Sequence, residues 1–289
     1  MAVILMTGAS GRIGRMLRDR LGHHELRLTD LRGEDGVDRL DVTDGVAVER
    51  AARGADAILH LGGIPGEASF DELLAVNVGG TERVLAAAHR AGVPRVILAS
   101  SNHAAGLQPR PRIEPETPSQ DQTGWAAAGR AGLGELPGKG VGGGGLPDDV
   151  RARADGYYGW SKAAVEGLGR LYHDRYGMHV VCLRIGKCAE RPATSRDLSV
   201  WISPDDMARL VEASLTATGW RVVWGVSANT RRWWSEAGGR SIGYLPVDDA
   251  ERWAGDVTEE GGHDLVGGGI SVPELGRPIR RDGKPVVGG

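Results

Sequence analysis

Val3-Ile4-Leu5-Met6-Thr7-Gly8-Ala9-Ser10-Gly11-Arg12-Ile13-Gly14 lies at the start of the chain and decides how the rest is read. The apolar run Val3 to Met6 has the character of a strand buried on both faces, and it ends in a glycine-rich turn. Past the turn, Ile13, Leu17 and Leu21 recur at helical spacing. In a strand–turn–helix setting the three glycines have separate tasks. Gly8 allows the tight turn, Gly11 lets a pyrophosphate approach the backbone, and Gly14 lets helix pack on strand. The helix N-terminus, from Arg12 and Ile13 onward, offers amide donors and the positive end of a dipole to phosphate groups. A second strand, Leu26–Thr29, stops at Asp30, 16 residues after Gly14. A carboxylate there accepts hydrogen bonds from an adenosine ribose diol and repels a 2′-phosphate. A dinucleotide is therefore expected, NAD before NADP, with neighbouring Arg32 as the one charge that could attract a phosphate.

The alternation continues along the chain. Helix Val46–Arg53 precedes strand Ala57–Leu61, which runs into Gly62-Gly63, and a long helix Leu73–Ala91 precedes strand Val96–Ala99, which runs into Ser100-Ser101-Asn102-His103. Later, Tyr157–Tyr176 reads as helix, Val180–Ile185 as strand, Pro204–Leu215 as helix and Val222–Val226 as strand. Strands alternating with helices on short turns predict an α/β protein: a Rossmann-type, doubly wound parallel sheet with helices on both faces. Residues 1–250 are expected to form one domain, with a small substrate-binding part over about 187–246. Residues 124–156, with 11 glycines among 33 residues, read as a flexible insertion, and 251–289 as a glycine-rich tail.

Composition narrows the functional classes. The chain has 289 residues, 40% hydrophobic and 25% charged, with a net charge of -3 and 46 glycines. That charge gives no basic face for nucleic acid. Two cysteines, Cys182 and Cys188, are too few for a disulfide framework or a four-ligand zinc site, so no metal is expected. No apolar stretch reaches the roughly 18 residues a spanning helix needs, and no basic leader precedes Val3. Membrane and secreted readings are set aside in favour of a cytoplasmic enzyme.

Tyr158-Gly159-Trp160-Ser161-Lys162 places a phenol and an ammonium one turn apart on a helix, in a chain with 31 Arg and only 4 Lys. A phenol is a poor base at neutral pH unless a nearby cation favours its phenolate. This pair, together with Gly8-x-x-Gly11-x-x-Gly14 and Asn77-Val78-x-Gly80-Thr81, resembles the extended branch of the short-chain dehydrogenase/reductase superfamily. More narrowly, Ala99-Ser100-Ser101-Asn102-His103, Arg184-Ile185-Gly186-x-Cys188 and Ser227-Ala228-Asn229-Thr230-x-x-Trp233-Trp234 are similar to the uronate dehydrogenases.

The resemblance implies a set of roles. Tyr158 is the base that takes a proton from the C1 hydroxyl of a cyclic uronic acid, Lys162 lowers its pKa and holds the nicotinamide ribose, and Ser101 bonds the reacting oxygen. NAD receives the hydride and an aldarolactone leaves. Asn102, His103 and Arg196 match substrate contacts, Arg196 gripping a carboxylate. Asp30, Leu31, Asp41, Val42, Leu61, Gly62, Gly63 and Cys188 match cofactor contacts. The family's habit is a homo-oligomer. Two positions depart from the pattern: Lys187 and Pro65 stand where serines contact the substrate, and Lys187, one of only four lysines, is expected to bind substrate as a second cation near Arg196 and Tyr158. On the residues alone, two other readings stay open: a sugar-nucleotide epimerase or dehydratase of the same branch, and a non-catalytic NAD sensor. The Tyr158/Lys162 pair argues against the sensor, and the short stretch after Lys162 against the nucleotide-sugar enzymes.

Overall fold

The computed structural model describes residues 1–111, 145–260, 264–268 and 275–276. Chain order is β1 (Val3–Thr7), α1 (Arg12–Arg20), β2 (Glu25–Asp30), β3 (Asp38–Arg39), α2 (Gly45–Ala52), β4 (Ala57–His60) and α3 (Phe70–Leu73). A π-helical segment, Leu74–Gly79, joins α3 to α4 (Gly80–Ala91). Then come β5 (Arg95–Ser101), a 3-10 turn (Asn102–Ala105), α5 (Tyr157–Tyr176), β6 (His179–Ile185) and β7 (Lys187–Cys188). Last are α6 (Asp197–Val200), β8 (Trp201–Ile202), α7 (Pro204–Thr216), β9 (Trp220–Gly225) and α8 (Ala237–Ser241). Seven strands form one sheet in the order β3-β2-β1-β4-β5-β6-β9, with every pairing parallel. The order reverses between β1 and β4, the place where such sheets open a crevice beyond the strand ends.

The two-residue period of the strands sorts side chains to the two faces. Ile4, Met6, Ile97, Val181, Leu183 and Val223 pack with Leu17 of α1, Leu21 just beyond it, and Met207, Leu210 and Val211 of α7. Leu5, Ile58, Val96, Leu98, Val180 and Cys182 point the other way, against Val48 of α2, Val84, Leu85 and Ala88 of α4, and Val165 of α5. Cys182 is therefore a core residue, and burial pushes its thiol well above the ordinary range. α7 starts at an N-cap, Ser203, whose hydroxyl accepts from Asp206 N, with Pro204 next in line.

Three features differ from the sequence expectation. The single helix expected over Leu73–Ala91 contains the π segment, where Asn77 turns its amide to the backbone of Ile64 and to Ser161. β3, β7 and β8 are two residues each, too short to leave a periodic signature. Residues 124–144 of the glycine-rich segment lie outside the described residues, but 145–156 are not loose. Leu146 exchanges backbone hydrogen bonds with Trp233 and Ser235, and the buried Asp148 carboxylate accepts from Trp224 N and Gly238 N. These contacts bind the stretch to β9 and α8, an anchorage that glycine content could not show.

Candidate active site

The loops after β1 and β4 meet at the crevice. Gly8 has φ +73°, and a Cβ there would lie 2.6 Å from Gly62 N. A Cβ on Gly14 would come within 2.6 Å of Ala9 O, and one on Gly62 within 3.2 Å of both Thr7 Oγ1 and Val42 Cγ1. The backbone is thus drawn close on both sides of the opening, and no side chain caps the N-terminus of α1. Asp30 ends β2 at this rim; one carboxylate oxygen accepts from Ser10 N (3.1 Å) and the other from Arg32 N (3.1 Å). Asp41 is tied to Thr43, which holds its carboxyl below the usual range, and Val42 beside it is buried. Leu31 is exposed at the rim. Crowded glycine backbone, free helix amides and a carboxylate on the ribose side together fit a dinucleotide.

Two places expected to touch that cofactor differ in kind. Gly63 takes φ +152°, and a Cβ there would meet Asn77 Oδ1 at 2.9 Å. Cys188 is buried behind α1, its Sγ 3.9 Å from Met16 Sδ, and burial pushes the thiol up to about 12.

Below the crevice runs a buried polar chain whose hydrogen directions are fixed by elimination. Thr81 Oγ1 donates to Asn77 O, so it accepts from His60 Nε2; His60 Nδ1 then accepts from Thr7 Oγ1, which itself accepts from Gly62 N. Asn77 Nδ2 donates to Ser161 Oγ, which donates to Tyr158 O. Thr7, His60, Asn77, Thr81 and Ser161 are all buried. Burial pushes His60 down to about 3, with the Lys162 charge acting the same way. Sequence motifs contain Thr7, Gly62, Asn77, Thr81, Tyr158 and Ser161, but do not show that they are linked, and they do not single out His60.

Helix α5 brings Tyr158 and Lys162 to the end of β5. Its N-cap, Gly156, supplies no side chain; the distant Glu67 carboxylate accepts from Tyr157 N and Tyr158 N, both at 2.9 Å. The Ser101 hydroxyl favours the ionised form of the Tyr158 phenol. Lys162 Nζ donates to Ala99 O (2.8 Å) and stands 5.6 Å from the centroid of the Tyr158 ring. Burial pushes the phenol up to about 12, against the opposing Ser101 hydrogen bond and Arg12 charge, and pushes Lys162 down to about 8. The lowered phenol expected from a neighbouring lysine is therefore not found in the protein alone. Desolvation and the Asp155 charge outweigh the groups that favour the phenolate.

At the far side of Tyr158, His103 lies edge-on to its ring, 6.0 Å between centroids, and pairs through Nδ1 with Asp155 at 2.7 Å. The buried Asn102 amide, oriented to satisfy its neighbours, donates to Ile185 O (3.2 Å) and accepts from Arg196 Nη2 (3.1 Å). Arg196 Nη2 also donates to Val266 O (2.7 Å), and its guanidinium stands 5.9 Å from the Trp233 ring centre. Its Nε is buried without a hydrogen-bond partner among the described residues. Arg110, which the sequence did not single out, covers the same tryptophan at 4.7 Å. Trp233 and Trp234 pack against each other and Trp224.

The structure thus gathers Ser101, Asn102, His103, Tyr158, Lys162 and Arg196. Lys187 sits half-buried on β7, paired in register with Trp201. The Arg12 charge favours the Tyr158 phenolate, and the charges acting most on Arg196 are Glu260, Asp197, Asp155 and Arg110. Asp155 and Glu67 are the site residues that sequence reasoning missed. Both are carboxylates in irregular segments, recognisable only once Tyr158 has been placed beside them.

Comparison with known proteins places the chain in a family. The NAD dependent epimerase/dehydratase family matches residues 4–133. A uronate dehydrogenase of Agrobacterium fabrum is 36% identical over 266 residues, 89% of this chain and 88% of the relative. An NAD-dependent glucose-6-phosphate dehydrogenase of Haloferax volcanii is 34% identical over 265 residues, 86% of this chain and 94% of the relative. The solved structure of a tyrosine-to-alanine mutant of uronate dehydrogenase from Agrobacterium tumefaciens, complexed with NAD, superposes with a TM-score of 0.78. It is 34% identical and the match covers 95% of this chain and 98% of that one. The chain belongs to the NAD dependent epimerase/dehydratase family and is an NAD-dependent dehydrogenase of the extended short-chain dehydrogenase/reductase type, similar to the uronate dehydrogenases.

Proposed function

We propose that the chain oxidises a free sugar acid, a cyclic uronate, at its anomeric carbon to give an aldarolactone. The observation that carries this reading is Arg196: a guanidinium at the end of the Tyr158 site, with a buried Nε that has no partner and no ion pair to a carboxylate among the described residues. Burying an unpaired cation is costly, and a bound carboxylate would relieve it through a bidentate fork. The names of the relatives support a sugar acid before other sugars.

Tyr158 would take the proton of the C1 hydroxyl, and Ser101, whose hydroxyl acts on the phenol, would hold the same oxygen. The Gly8–Gly14 turn, the Gly62-Gly63 loop, Asp30 and Lys162 would hold the dinucleotide. NAD, when bound, supplies the ring that accepts the hydride and a positive charge that favours the phenolate. With burial holding the phenol up at about 12, turnover is expected to climb with pH across the neutral range.

The test is NADH formation from glucuronate, galacturonate, glucose 6-phosphate and neutral aldoses, each with NAD and with NADP. Reduction of NAD by the uronates ahead of the others supports the reading. Preference for glucose 6-phosphate, the substrate in the name of the Haloferax relative, would move the assignment to a sugar phosphate, and preference for a neutral aldose would remove the role given to Arg196.

A further inference from the structure

Asp155 has no part in the reading above, yet it lies at the centre of the site. Its side chain is 3% exposed, and among the described residues its carboxylate has one hydrogen-bond partner, His103 Nδ1 at 2.7 Å. Its charge acts on both Tyr158 and Arg196. Three glycines make room for it: a Cβ on Gly106 or Gly267 would strike Oδ2, and one on Gly159 would come within 2.8 Å of Oδ1. A carboxylate buried on a single hydrogen bond is an expensive feature if its task is only to hold a loop. A fold that clears three side chains to place it beside the reacting phenol calls for a chemical reason.

That reason lies in histidine chemistry. An ionised carboxylate can only accept, so the His103 proton facing it is on Nδ1. In the neutral ring the lone pair is then on Nε2, the nitrogen on the opposite edge. His103 is anchored otherwise through its backbone, N–H donating to Ser101 Oγ at 3.2 Å, and its side chain keeps 18% exposure. No other hydrogen bond is made by the ring among the described residues.

We propose that Asp155 is the positioning residue that fixes the tautomer of His103, so that Nε2 offers a lone pair to a hydroxyl group of the sugar. The proposal rests on the reading that the space before Tyr158 takes a sugar. It gives the two polar ends of the site opposite tasks. Arg196 donates to an anion, while His103 accepts from a hydroxyl and so discriminates against a group that has no proton to give.

The experiment uses the full chain with NAD bound and histidine labelled with nitrogen-15. The His103 signals are assigned by their loss in His103→Gln. Wild-type protein is expected to show a protonated Nδ1 and a lone pair on Nε2. In Asp155→Asn the amide can turn its NH2 toward Nδ1, which moves the ring proton to Nε2 and makes the acceptor a donor. That variant should lose about 10- to 100-fold in kcat/KM for the preferred sugar, mostly in KM, the range expected when one buried polar group is left mispaired. NAD affinity should stay within about 2-fold. The double variant Asp155→Asn/His103→Gln should be no worse than His103→Gln alone, since one residue acts through the other.

A wild-type His103 protonated on Nε2, or on both nitrogens, overturns the proposal without any variant having to fold. So does an Asp155→Asn enzyme whose tautomer changes while KM does not. The nitrogen signals need no sugar, so a site that fixes the tautomer but refuses uronates removes the uronate reading alone. The KM comparison is then made with the sugar that is oxidised.

Discussion

Arg184→Met tests the ion pair that anchors the catalytic helix. Glu166 lies one turn beyond Lys162 and two beyond Tyr158 on α5, so its position sets the rotation of that helix against the sheet. Arg184 of β6 meets it in a fork, Nε to Oε1 and Nη2 to Oε2, both at 2.8 Å, with the side chains 3% and 7% exposed. Ser100 Oγ donates to Oε1 at 2.6 Å, and Arg184 Nη1 reaches the carbonyls of Asp148 and Val150. Methionine keeps much of the volume and removes the charge. Glu166 is then left buried with one hydroxyl, and removing one partner of such a pair costs about 3–5 kcal/mol. At roughly 2–4 °C per kcal/mol for a chain of this size, Tm should fall by roughly 6–20 °C in a thermal melt without NAD. Replacing both partners, Arg184→Met with Glu166→Leu, removes the stranded charge and should recover about half the loss, the remainder reflecting Ser100 and the two carbonyls left unpaired. A single variant within about 2 °C of wild type, or a double variant whose losses simply add, would refute the claim that a desolvated pair holds α5 in place.

Tyr158→Phe keeps the ring and should lower turnover by about two orders of magnitude or more, abolish the rise of activity with pH, and leave NAD affinity within about 2-fold, as titration of binding would show. Asp30→Ala removes the ribose-side carboxylate and two hydrogen bonds to the rim. NAD binding should weaken about 10-fold and the preference over NADP should narrow; an unchanged ratio would assign the discrimination to another group. His60 is pushed from an ordinary 6.5 to about 3, so the unfolded chain binds a proton that the folded one refuses. Its stabilisation is complete above about pH 6.5 and falls, by up to about 1.4 kcal/mol per pH unit, as pH drops toward about 3. The stability gap between wild type and His60→Gln should therefore close between about pH 7 and pH 5 in urea melts, and a constant gap would mean that His60 charges freely in the fold.

The frame was readable because it follows from two short-range regularities. Val3–Met6 and Val180–Ile185 are apolar runs of strand length, and Ile13, Leu17 and Leu21 keep helical spacing, so element type and order came directly from pattern. The expected α5 coincides with the observed Tyr157–Tyr176, because it starts beside a glycine and ends at Gly177, which takes φ +69°. The Gly8–Gly14 turn carries its function in backbone geometry, which glycine spacing reports. What pattern could not report is a partner drawn from a distant irregular segment. Glu67 caps a helix 90 residues later in the chain, and Asp155 and Asp148 lie in or beside a glycine-rich run that reads as loop. Their side chains acquire meaning only from the surfaces that fold against them.

Lys187 shows the same boundary from the other side. Its rarity in an arginine-rich chain and its place after Arg184-Ile185-Gly186 made it the candidate for a second substrate cation. Position along the chain located it correctly at the sheet's carboxyl edge, since β7 follows β6 at once. Which cations act on the reacting groups is decided by neighbouring backbone instead. Pairing with Trp201 sets Lys187 in a small ladder, while the N-terminus of α1 brings Arg12 toward Tyr158, and the chain near Pro109, bridged to Leu265, brings Arg110 to Trp233. On the proposed reading, recognition of an anionic ligand rests on Arg196, with Arg110 sharing its tryptophan. Lys187→Ser should then change the preference among uronates less than Arg196→Leu changes affinity for all of them. Comparing KM for glucuronate and galacturonate across the two variants measures this directly. A larger selectivity change from Lys187→Ser would return the specificity role to that position.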